Sequence, residues 1–463
     1  MSDNLEVIIL AAGLGTRMKS RTIKILHRAA GRPIVDYVLD LASNISSRPP
    51  VMVIGHQRDS VQQSVGSRAR YAIQEEQLGT GHAVMQAARI LEAEGVRSGN
   101  VLILSGDVPL TRPETLKGLI DEHRRAGNAL TLLTMKLDEP GLYGRIVRDG
   151  SGNVQKIVEA KDADDAIKRI NEVNAGIYLF SAEHLFDNLR KLSNSNAQGE
   201  YYLTDLLGAL RTAGQRVGAM IVTDPDEALG VNSRAELATV ESVIQRRVVQ
   251  KLMSEGVTFR NPQTVVIDST VVIGNDTVVY PYVTLEGSTK IGSGCVIEPG
   301  VHLRDVIVGN DVHVKTGTVA EESEIGDHAT VGPYAHLRPG TRLGESVKVG
   351  NFVETKKAIF GKGAKASHLS YIGDADVGAD ANIGAGTITC NYDGVRKNKT
   401  TIEEGAFIGS DTQLVAPVRV GKGAYVGAGS TITKDVPADS LALSRTPQRI
   451  VEGWANRKRE EKK

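Results

Sequence analysis

The chain has 463 residues, more than one ordinary domain folds around a single core, so two or three domains are expected. Lys plus Arg equals Asp plus Glu at 55 each, which excludes a global field for nucleic acid or an anionic membrane and requires any anionic ligand to be met locally. Two cysteines, Cys295 and Cys390, exclude a disulfide framework and lack zinc-ligand spacing, and a reducing cytoplasm is the expected setting.

In chain order, the amino terminus MSDNLEVIILAAG has an acidic start and an apolar run of only about seven residues, unlike a secretory signal. No later stretch reaches the roughly 20 apolar residues that cross a bilayer. LEVIILAAG reads as a buried strand, PIVDYVLDLASNI as a helix, PVMVIGH as a strand, HAVMQAARILEAEG as a helix and NVLILSGDVPL as a strand. That alternation predicts a mainly parallel sheet covered by helices. The first strand runs into Gly13-Leu14-Gly15-Thr16-Arg17-Met18. The third glycine of a dinucleotide fingerprint is missing and Arg17 lies inside the turn, so the turn suits a triphosphate better. Backbone N–H groups can approach phosphate oxygens where glycine has no Cβ, and Arg17 adds a neutralising fork. The plain alternative is a tight structural turn.

SRAELATVESVIQRRVVQKLMSEG carries Leu237, Val240, Val243, Ile244, Val248 and Leu252 at near-helical spacing, which predicts a connecting helix of about 20 residues. Beyond it, aliphatic residues recur every six positions: Ile273, Val279, Leu285, Ile291, Ile297 and Leu303. After a slip the series runs through Ile325, Val331, Leu337, Leu343 and Val349, then Phe360, Ala366 and Ile372, and last Ile402, Ile408, Leu414, Val420, Val426 and Ile432. A helix needs period 3.6 and a two-faced strand period 2, so a sustained six with glycine often following predicts hexapeptide β-helix repeats. Each unit supplies one short strand and one corner, where glycine or another small residue relieves crowding, in keeping with a chain that carries 49 glycines in all. Cys390 to Thr400, CNYDGVRKNKT, breaks the series with polar and basic residues and reads as a loop thrown out from the coil, or else as a disordered insertion. GWANRKREEKK reads as a charged, mobile tail. The expected domains are 1–232, a helix over 233–255, the β-helix over 256–437 and a tail over 438–463.

Several strings together carry a resemblance. LAAGLGTRM, Lys24, Gln74-Glu75-Glu76-Gln77-Leu78-Gly79-Thr80-Gly81-His82 and Ser105-Gly106-Asp107-Val108-Pro109-Leu110 resemble the sugar-1-phosphate nucleotidyltransferases. Adding Tyr143-Gly144-Arg145, Ile157-Val158-Glu159, Asn174, GEYYLTD at Gly199 to Asp205 and Val231-Asn232 makes the first half similar to bacterial N-acetylglucosamine-1-phosphate uridyltransferases. LRPGT, VGNFVETKKA, SHLSYIGDADVGADANIGAGTITCNYDG, FIGSDTQLVAPV and SRTPQ make the second half similar to the glucosamine-1-phosphate N-acetyltransferase half of the same bifunctional family.

The resemblance implies an α/β chain with a Rossmann-like nucleotidyltransferase domain, a linker helix and a left-handed parallel β-helix that assembles as a homotrimer. It implies acetylation of glucosamine-1-phosphate by acetyl-CoA, then uridylyl transfer from UTP, giving UDP-N-acetylglucosamine for cell-envelope polymers. Gln74, Gln77, Gly79 and Thr80 would read the uracil; Leu10 and Gly13 would line the nucleotide; Gly144, Glu159, Asn174 and Asn232 would grip the UDP-sugar. Asp107 with Asn232 would hold Mg²⁺, a hard cation that takes few protein oxygens; a helix N-cap is the plain alternative for Asp107. Arg17 and Lys24 would stabilise charge on the phosphates, since this transfer needs positioning and charge neutralisation and no covalent residue. His368 is the best base candidate because Arg338, Lys356, Tyr371 and Lys397 supply its companions; a satisfied structural histidine is the alternative. Arg338, Lys356 and Tyr371 would bind the sugar phosphate, and Asn382 and Asn391 would orient the amine and the base. Ser410 would assist the oxyanion, and Ala385, Asn391, Tyr392, Ser410, Ala428 and Arg445 would hold acetyl-CoA. Cys390 reads as structural.

Two departures from the family pattern stand out. Ser20-Arg21-Thr22-Ile23-Lys24 has Ile where Pro is usual, and Asn174-Ala175-Gly176 has Ala where Thr is usual. They bear on loop rigidity and sugar positioning. A sugar-1-phosphate nucleotidyltransferase with a purely structural β-helix, or a non-catalytic scaffold, would have no use for His368 and its loop or for Arg17, Lys24, Asp107 and Asn232.

Overall fold

The computed structural model describes residues 5–196 and 198–461. The acidic start and the last two lysines, on which the readings of the amino terminus and tail partly rest, lie outside the described residues. The chain divides into two compact units, Met1–Gln245 and Arg246–Lys463. The division falls inside the helix Arg234–Ser254, so the first unit runs past 232 into the expected linker. Val240, Val243 and Ile244 of that helix are buried, and Val249 and Leu252 belong to the core of the second unit.

In the first unit seven strands form one sheet in the order Val217–Ile221, Leu130–Lys136, Glu172–Ser181, Asn100–Ser105, Leu5–Leu10, Val51–Ile54, Arg70–Ile73. Glu172–Ser181 runs antiparallel to both neighbours, and the remaining pairings along this path are parallel. Central strands buried on both faces read as continuous apolar runs, which is why LEVIIL and NVLILS carry so few polar residues. The helix Thr80–Ala93 lays Ala83, Val84, Ala87, Ala88 and Leu91 on the sheet, an i, i+4 stripe of mostly small side chains. A hairpin of Arg145–Arg148 and Val154–Val158 joins the antiparallel strand through the pair Arg145 and Val173. The carboxyl ends of the parallel strands Leu5–Leu10, Val51–Ile54 and Asn100–Ser105 open side by side, where ligands of such sheets bind.

The second unit is a stack of short parallel strands whose register partners lie one coil apart, as in Val272 with Lys290 and Lys290 with Ile307. Eleven strands make one sheet and seventeen make another that covers the rest of the coil. This is the hexapeptide architecture expected, consistent with a left-handed parallel β-helix. Each aliphatic position of the sixfold series is at most 5% exposed. The slips have a simple cause: Val308, Val314 and Ala320 are also inside, and the coils there are one residue short on either side of them. Elsewhere the inward place is taken by threonine. Thr355 Oγ1 meets Thr341 Oγ1 at 2.9 Å, and Thr389 Oγ1 accepts from Gly373 N at 2.7 Å, so these hydroxyls are satisfied inside an apolar core.

The coil continues beyond the expected boundary at 437, because Leu441–Ala442 still pairs with Tyr425–Val426. The tail expected to be mobile contains a short exposed helix, Trp454–Glu460, started by Gly453 in a left-handed conformation whose carbonyl accepts from Arg457 N. Among the described residues no helix is long and apolar enough to cross a membrane.

Candidate active sites

In the first unit the strand ends surround a cavity of about 440 Å³ lined by Leu10, Gly13, Lys24, Gln74, Gln77, Gly79, Thr80 and Asp107, with Gly15, Ser105 and Glu200 beside them. Eight residues expected from four separate stretches of sequence therefore share one cavity. Two of these glycines, Gly15 and Gly79, are sterically required, while at Gly13 a Cβ would meet nothing within 4 Å. At Gly15 a Cβ would lie 2.7 Å from Lys24 Cβ, and φ is +61°, so the turn closes against the stem of the lysine only because the residue is glycine. At Gly79, φ +100°, a Cβ would lie 2.6 Å from the Tyr201 carbonyl oxygen, which seats the GEYYLTD run against the start of the Thr80–Ala93 helix. Thr80 Oγ1 accepts from Leu203 N at 3.1 Å and fixes that run again. Gln74 is buried; its Nε2 donates to the Gly79 carbonyl at 3.1 Å and lies 3.2 Å from His82 Nδ1.

The backbone brings Asn232 to Asp107 across the sequence, because Val231 N donates to the Asp107 carbonyl at 2.9 Å. Ser233 Oγ accepts from Glu236 N at 3.2 Å and caps the Arg234–Ser254 helix, while Glu236 Oε2 reaches back to accept from Asn232 N at 2.8 Å. The Lys24 ammonium donates to Asn232 Oδ1 at 2.9 Å and to the Asp107 carboxylate. Two oxygens, one of them anionic, thus converge on one positive charge, and that donor set fits a hard cation such as Mg²⁺.

Ile23 answers one of the two departures. It adopts φ −59° and ψ 142°, the backbone that proline would impose, and its side chain is 4% exposed, so burial holds Lys24 where a ring would. Leu26 N donates to the Ile23 carbonyl at 3.0 Å and closes the turn.

Gly144, Glu159 and Asn174 form a second cluster. Asn174 N donates to the Gly144 carbonyl at 2.9 Å, and a Cβ on Gly144 would press on the Glu159 carboxylate. Asn174 Nδ2 donates to Tyr178 Oη at 2.6 Å and its Oδ1 accepts from Gly176 N at 3.1 Å, so the amide is fixed without a hydroxyl at Ala175. Burial pushes Glu159 above the usual carboxylate range; the Thr204 hydroxyl opposes this, and Asp162, Asp205 and Glu200 add to it. Arg17 is exposed, and its charge reaches Tyr143, a half-buried phenol that accepts from Gly230 N and feels the charge of Asp107, and that sequence reasoning left without a role.

In the second unit the expected residues fall into two columns. Val349, Ala366, Ile383, Ile408 and Val426 are in register from coil to coil. The residues two places after them are Asn351, His368, Ala385, Ser410 and Ala428, so the base candidate and three expected acetyl-CoA residues form one line. Arg445 closes its end by donating to the Ala428 carbonyl at 2.9 Å. Around the corner, Leu337, Thr355 and Ile372 are in register, which stacks Arg338, Lys356 and Gly373. A Cβ on Gly373 would lie 2.4 Å from Tyr371 Oη, so the glycine lets the Tyr371 ring fold into that cationic column. Arg338 donates to Glu354 at 2.8 Å. Asn382 stands in register with Lys365, on the strand that carries His368.

The loop does project: Tyr392 and Val395 are 59% and 84% exposed, and Tyr392 bridges to Lys397, whose ammonium lies 5.7 Å from the centre of the ring. Asn391, expected to orient the base, is buried at the root of the loop, where its amide donates to Asp374 one coil away and, among the described residues, makes no hydrogen bond to His368. The ring of His368 is met by Asn351, at 2.7 Å. Asn351 and Glu354 both lie in VGNFVETKKA, and the coil length was the signal that could have picked them out. Burial raises the thiol of Cys390 above its ordinary value, in keeping with a structural role.

The comparisons agree with this geometry. A nucleotidyl transferase family model matches residues 6–226, and the model of the bacterial transferase hexapeptide (six repeats) matches residues 270–305 and 399–434. The chain is similar to the protein named bifunctional protein GlmU of Syntrophotalea carbinolica, with 53% identity over 453 residues, 98% of this chain and 97% of that one. It is 51% identical to the protein of the same name from Heliobacterium modesticaldum over 451 residues, 97% of this chain and 98% of that one. For that of Trichlorobacter lovleyi the identity is 50% over 455 residues, 98% of each chain.

Proposed function

The chain belongs to the family of the bifunctional protein GlmU and is an enzyme with two transferase activities, uridyltransferase and acetyltransferase, and from that premise we propose how its residues divide the work. The β-helix unit acetylates glucosamine-1-phosphate with acetyl-CoA. The α/β unit then transfers the uridylyl group of UTP to N-acetylglucosamine-1-phosphate, giving UDP-N-acetylglucosamine. The observation that most supports this reading is the cavity of about 440 Å³ that gathers Gly13, Lys24, Gln74, Gln77, Gly79, Thr80 and Asp107.

In acetyl transfer, Arg338, Lys356 and Tyr371 bind the sugar phosphate, and His368 removes a proton from the amine as its nitrogen attacks the thioester carbon. The C–S bond breaks, the sulfur leaves as coenzyme A thiol, and Ser410 assists the oxygen that becomes an oxyanion. Asn382 orients the amine. Ala385, Asn391, Tyr392, Ala428 and Arg445 hold the coenzyme. In uridylyl transfer a phosphate oxygen of the sugar attacks the α-phosphorus of UTP and pyrophosphate leaves in line. Gln74, Gln77, Gly79 and Thr80 hold the uracil, while Gly144, Glu159 and Asn174 hold the sugar. Arg17 and Lys24 neutralise the phosphates. Asp107 and Asn232 would hold Mg²⁺, which supplies charge neutralisation at the phosphates when bound.

The active form is a cytoplasmic homotrimer in this reading. Tyr334 and Phe352, about 55% and 57% exposed, stack at 5.8 Å on the coil, with Leu369 exposed at the same corner one coil further on, and such apolar surface fits closure by cyclic symmetry. Incubation with glucosamine-1-phosphate, acetyl-CoA, UTP and Mg²⁺, with products identified by mass, is expected to give UDP-N-acetylglucosamine together with free thiol and pyrophosphate. A nucleotide sugar lacking the acetyl group, or no thiol release, would refute the proposal. Light scattering that gave one chain of 49.5 kDa at micromolar concentration would remove the trimer.

A further inference from the structure

We infer that Asn351 is the positioning residue of the acetyl-transfer site: its side-chain oxygen accepts a hydrogen bond from Nδ1–H of His368 and so leaves Nε2 as the free, unprotonated nitrogen. The inference rests on the reading of His368 as the base.

The fold builds the contact in three steps. Asn351 and His368 are register partners in adjacent coils, on the strands Lys348–Asn351 and Lys365–His368. Each is followed by a corner residue in the left-handed conformation, Phe352 at φ 56° and Leu369 at φ 47°, and Leu369 N donates to the Asn351 carbonyl at 3.0 Å. The two strands therefore turn alike and present their preceding side chains in parallel. Third, Gly350 lets the coils close: a Cβ there would lie 1.8 Å from the Ser367 carbonyl oxygen. Asn351 Oδ1 then stands 2.7 Å from His368 Nδ1. Ser370 Oγ, donating to the His368 carbonyl at 2.8 Å, fixes the backbone on the other side.

The chemistry follows from the ring. A neutral imidazole carries its proton on one nitrogen, and the partner of that nitrogen decides which one remains basic. Among the described residues Asn351 is the only hydrogen-bond partner of this exposed ring. Without it, both tautomers and several ring orientations share the population, and only part of it can take a proton from an amine.

The test compares Asn351→Ala and Asn351→Asp with the parent chain in thiol release from acetyl-CoA, as pH profiles of kcat and kcat/KM. Loss of a residue that holds a reacting group costs about 10- to 100-fold. Asn351→Ala is expected to lose that much in kcat while the KM for glucosamine-1-phosphate stays within about twofold. Asn351→Asp can only accept, so it is expected to recover most of kcat and, by stabilising the imidazolium, to move the acidic limb of kcat/KM to higher pH. Three results would overturn the inference: an Asn351→Ala enzyme as fast as the parent, an Asn351→Asp enzyme as slow as Asn351→Ala, or an acidic limb unmoved in Asn351→Asp. A loss that comes from misfolding is separated by the unfolding midpoint of each variant, and an Asn351→Ala defect that tracks a lowered midpoint also counts against the inference. His368→Ala, run alongside, tests the underlying reading: if it keeps thiol release, the base is elsewhere and the role of Asn351 falls with it.

Discussion

Lys24 donates a hydrogen bond to Asn232 at 2.9 Å, and the same ammonium is paired with Asp107. The pair of oxygens read as the Mg²⁺ site is therefore already neutralised by a side chain whose other task is the phosphates. Lys24→Ala removes the competing cation, so Mn²⁺, used as a probe, is expected to bind the nucleotide-free protein several-fold more tightly than it binds the parent, as followed by calorimetry. Unchanged affinity would mean that Lys24 does not stand in for the metal. Pyrophosphate release by the same variant should fall sharply, because the phosphates lose a cation.

Asp107→Ala should stop nucleotidyl transfer, since the carboxylate of the cation site is gone, and should leave acetyl transfer running even in EDTA. His368→Ala should do the reverse, with a loss of roughly 10²- to 10⁴-fold in thiol release and no change in pyrophosphate release. The two readouts are independent. Loss of both activities in a well-folded Asp107→Ala chain would contradict the assignment.

Gly350→Ala puts a methyl group 1.8 Å from the Ser367 carbonyl, backbone against backbone, and no side chain can give way. The coils must part there. A lowered unfolding temperature and a loss of thiol release are expected together, while Gly150→Ala, at a turn outside the left-handed region where a Cβ meets nothing within 4 Å, serves as the control for glycine replacement. A Gly350→Ala chain that kept both stability and acetyl transfer would show that the spacing of these coils is not set by the glycine.

His123 is buried beside Thr131, and burial, with Arg124 adding to it, lowers its pKa from 6.5 to about 4. The unfolded chain gains a proton below about pH 6.5 that the native chain does not take up until about pH 4, so stability falls as pH drops through that window. At pH 5 the contribution amounts to about 2 kcal/mol relative to neutral pH. His123→Gln is expected to lose less stability than the parent between pH 7 and pH 5, as read by the change in urea midpoints. Equal losses would show that His123 does not titrate in that window.

How much of this was legible in the sequence depends on whether a period carried it. The sixfold series located one inward column of the β-helix, from Ile273 to Ile432, but not the residues two places earlier, such as Val283, Val301 and Val347, which share the same core. It lost the thread at Val308 and at Thr355, where a five-residue unit shifts the phase or a threonine with an internal hydrogen bond replaces the aliphatic. Apart from the glycine turn at Gly13 and Gly15, the cavity residues were readable only through resemblance, since nothing periodic links Lys24 to Asp107 or Asn232. Their meeting depends on sheet order and on one backbone hydrogen bond, from Val231 to Asp107. Asn351 lies between these cases. It sits one coil before His368, and the length of a coil, once known, points to it; Asn391, named through the resemblance, is buried at the root of the loop with its amide on Asp374.

The column from Asn351 to Ala428 is in effect a ruler. Parallel strands stack at about 4.8 Å, so the base and the far end of the line stand three rungs, or about 14 Å, apart, and that length is set by counting coils and not by the identity of any one side chain. A donor with a longer or shorter arm could not be accommodated by changing contacts one at a time. The chain would have to gain or lose a whole turn, about eighteen residues at once, so the reach of the site is inherited in whole steps.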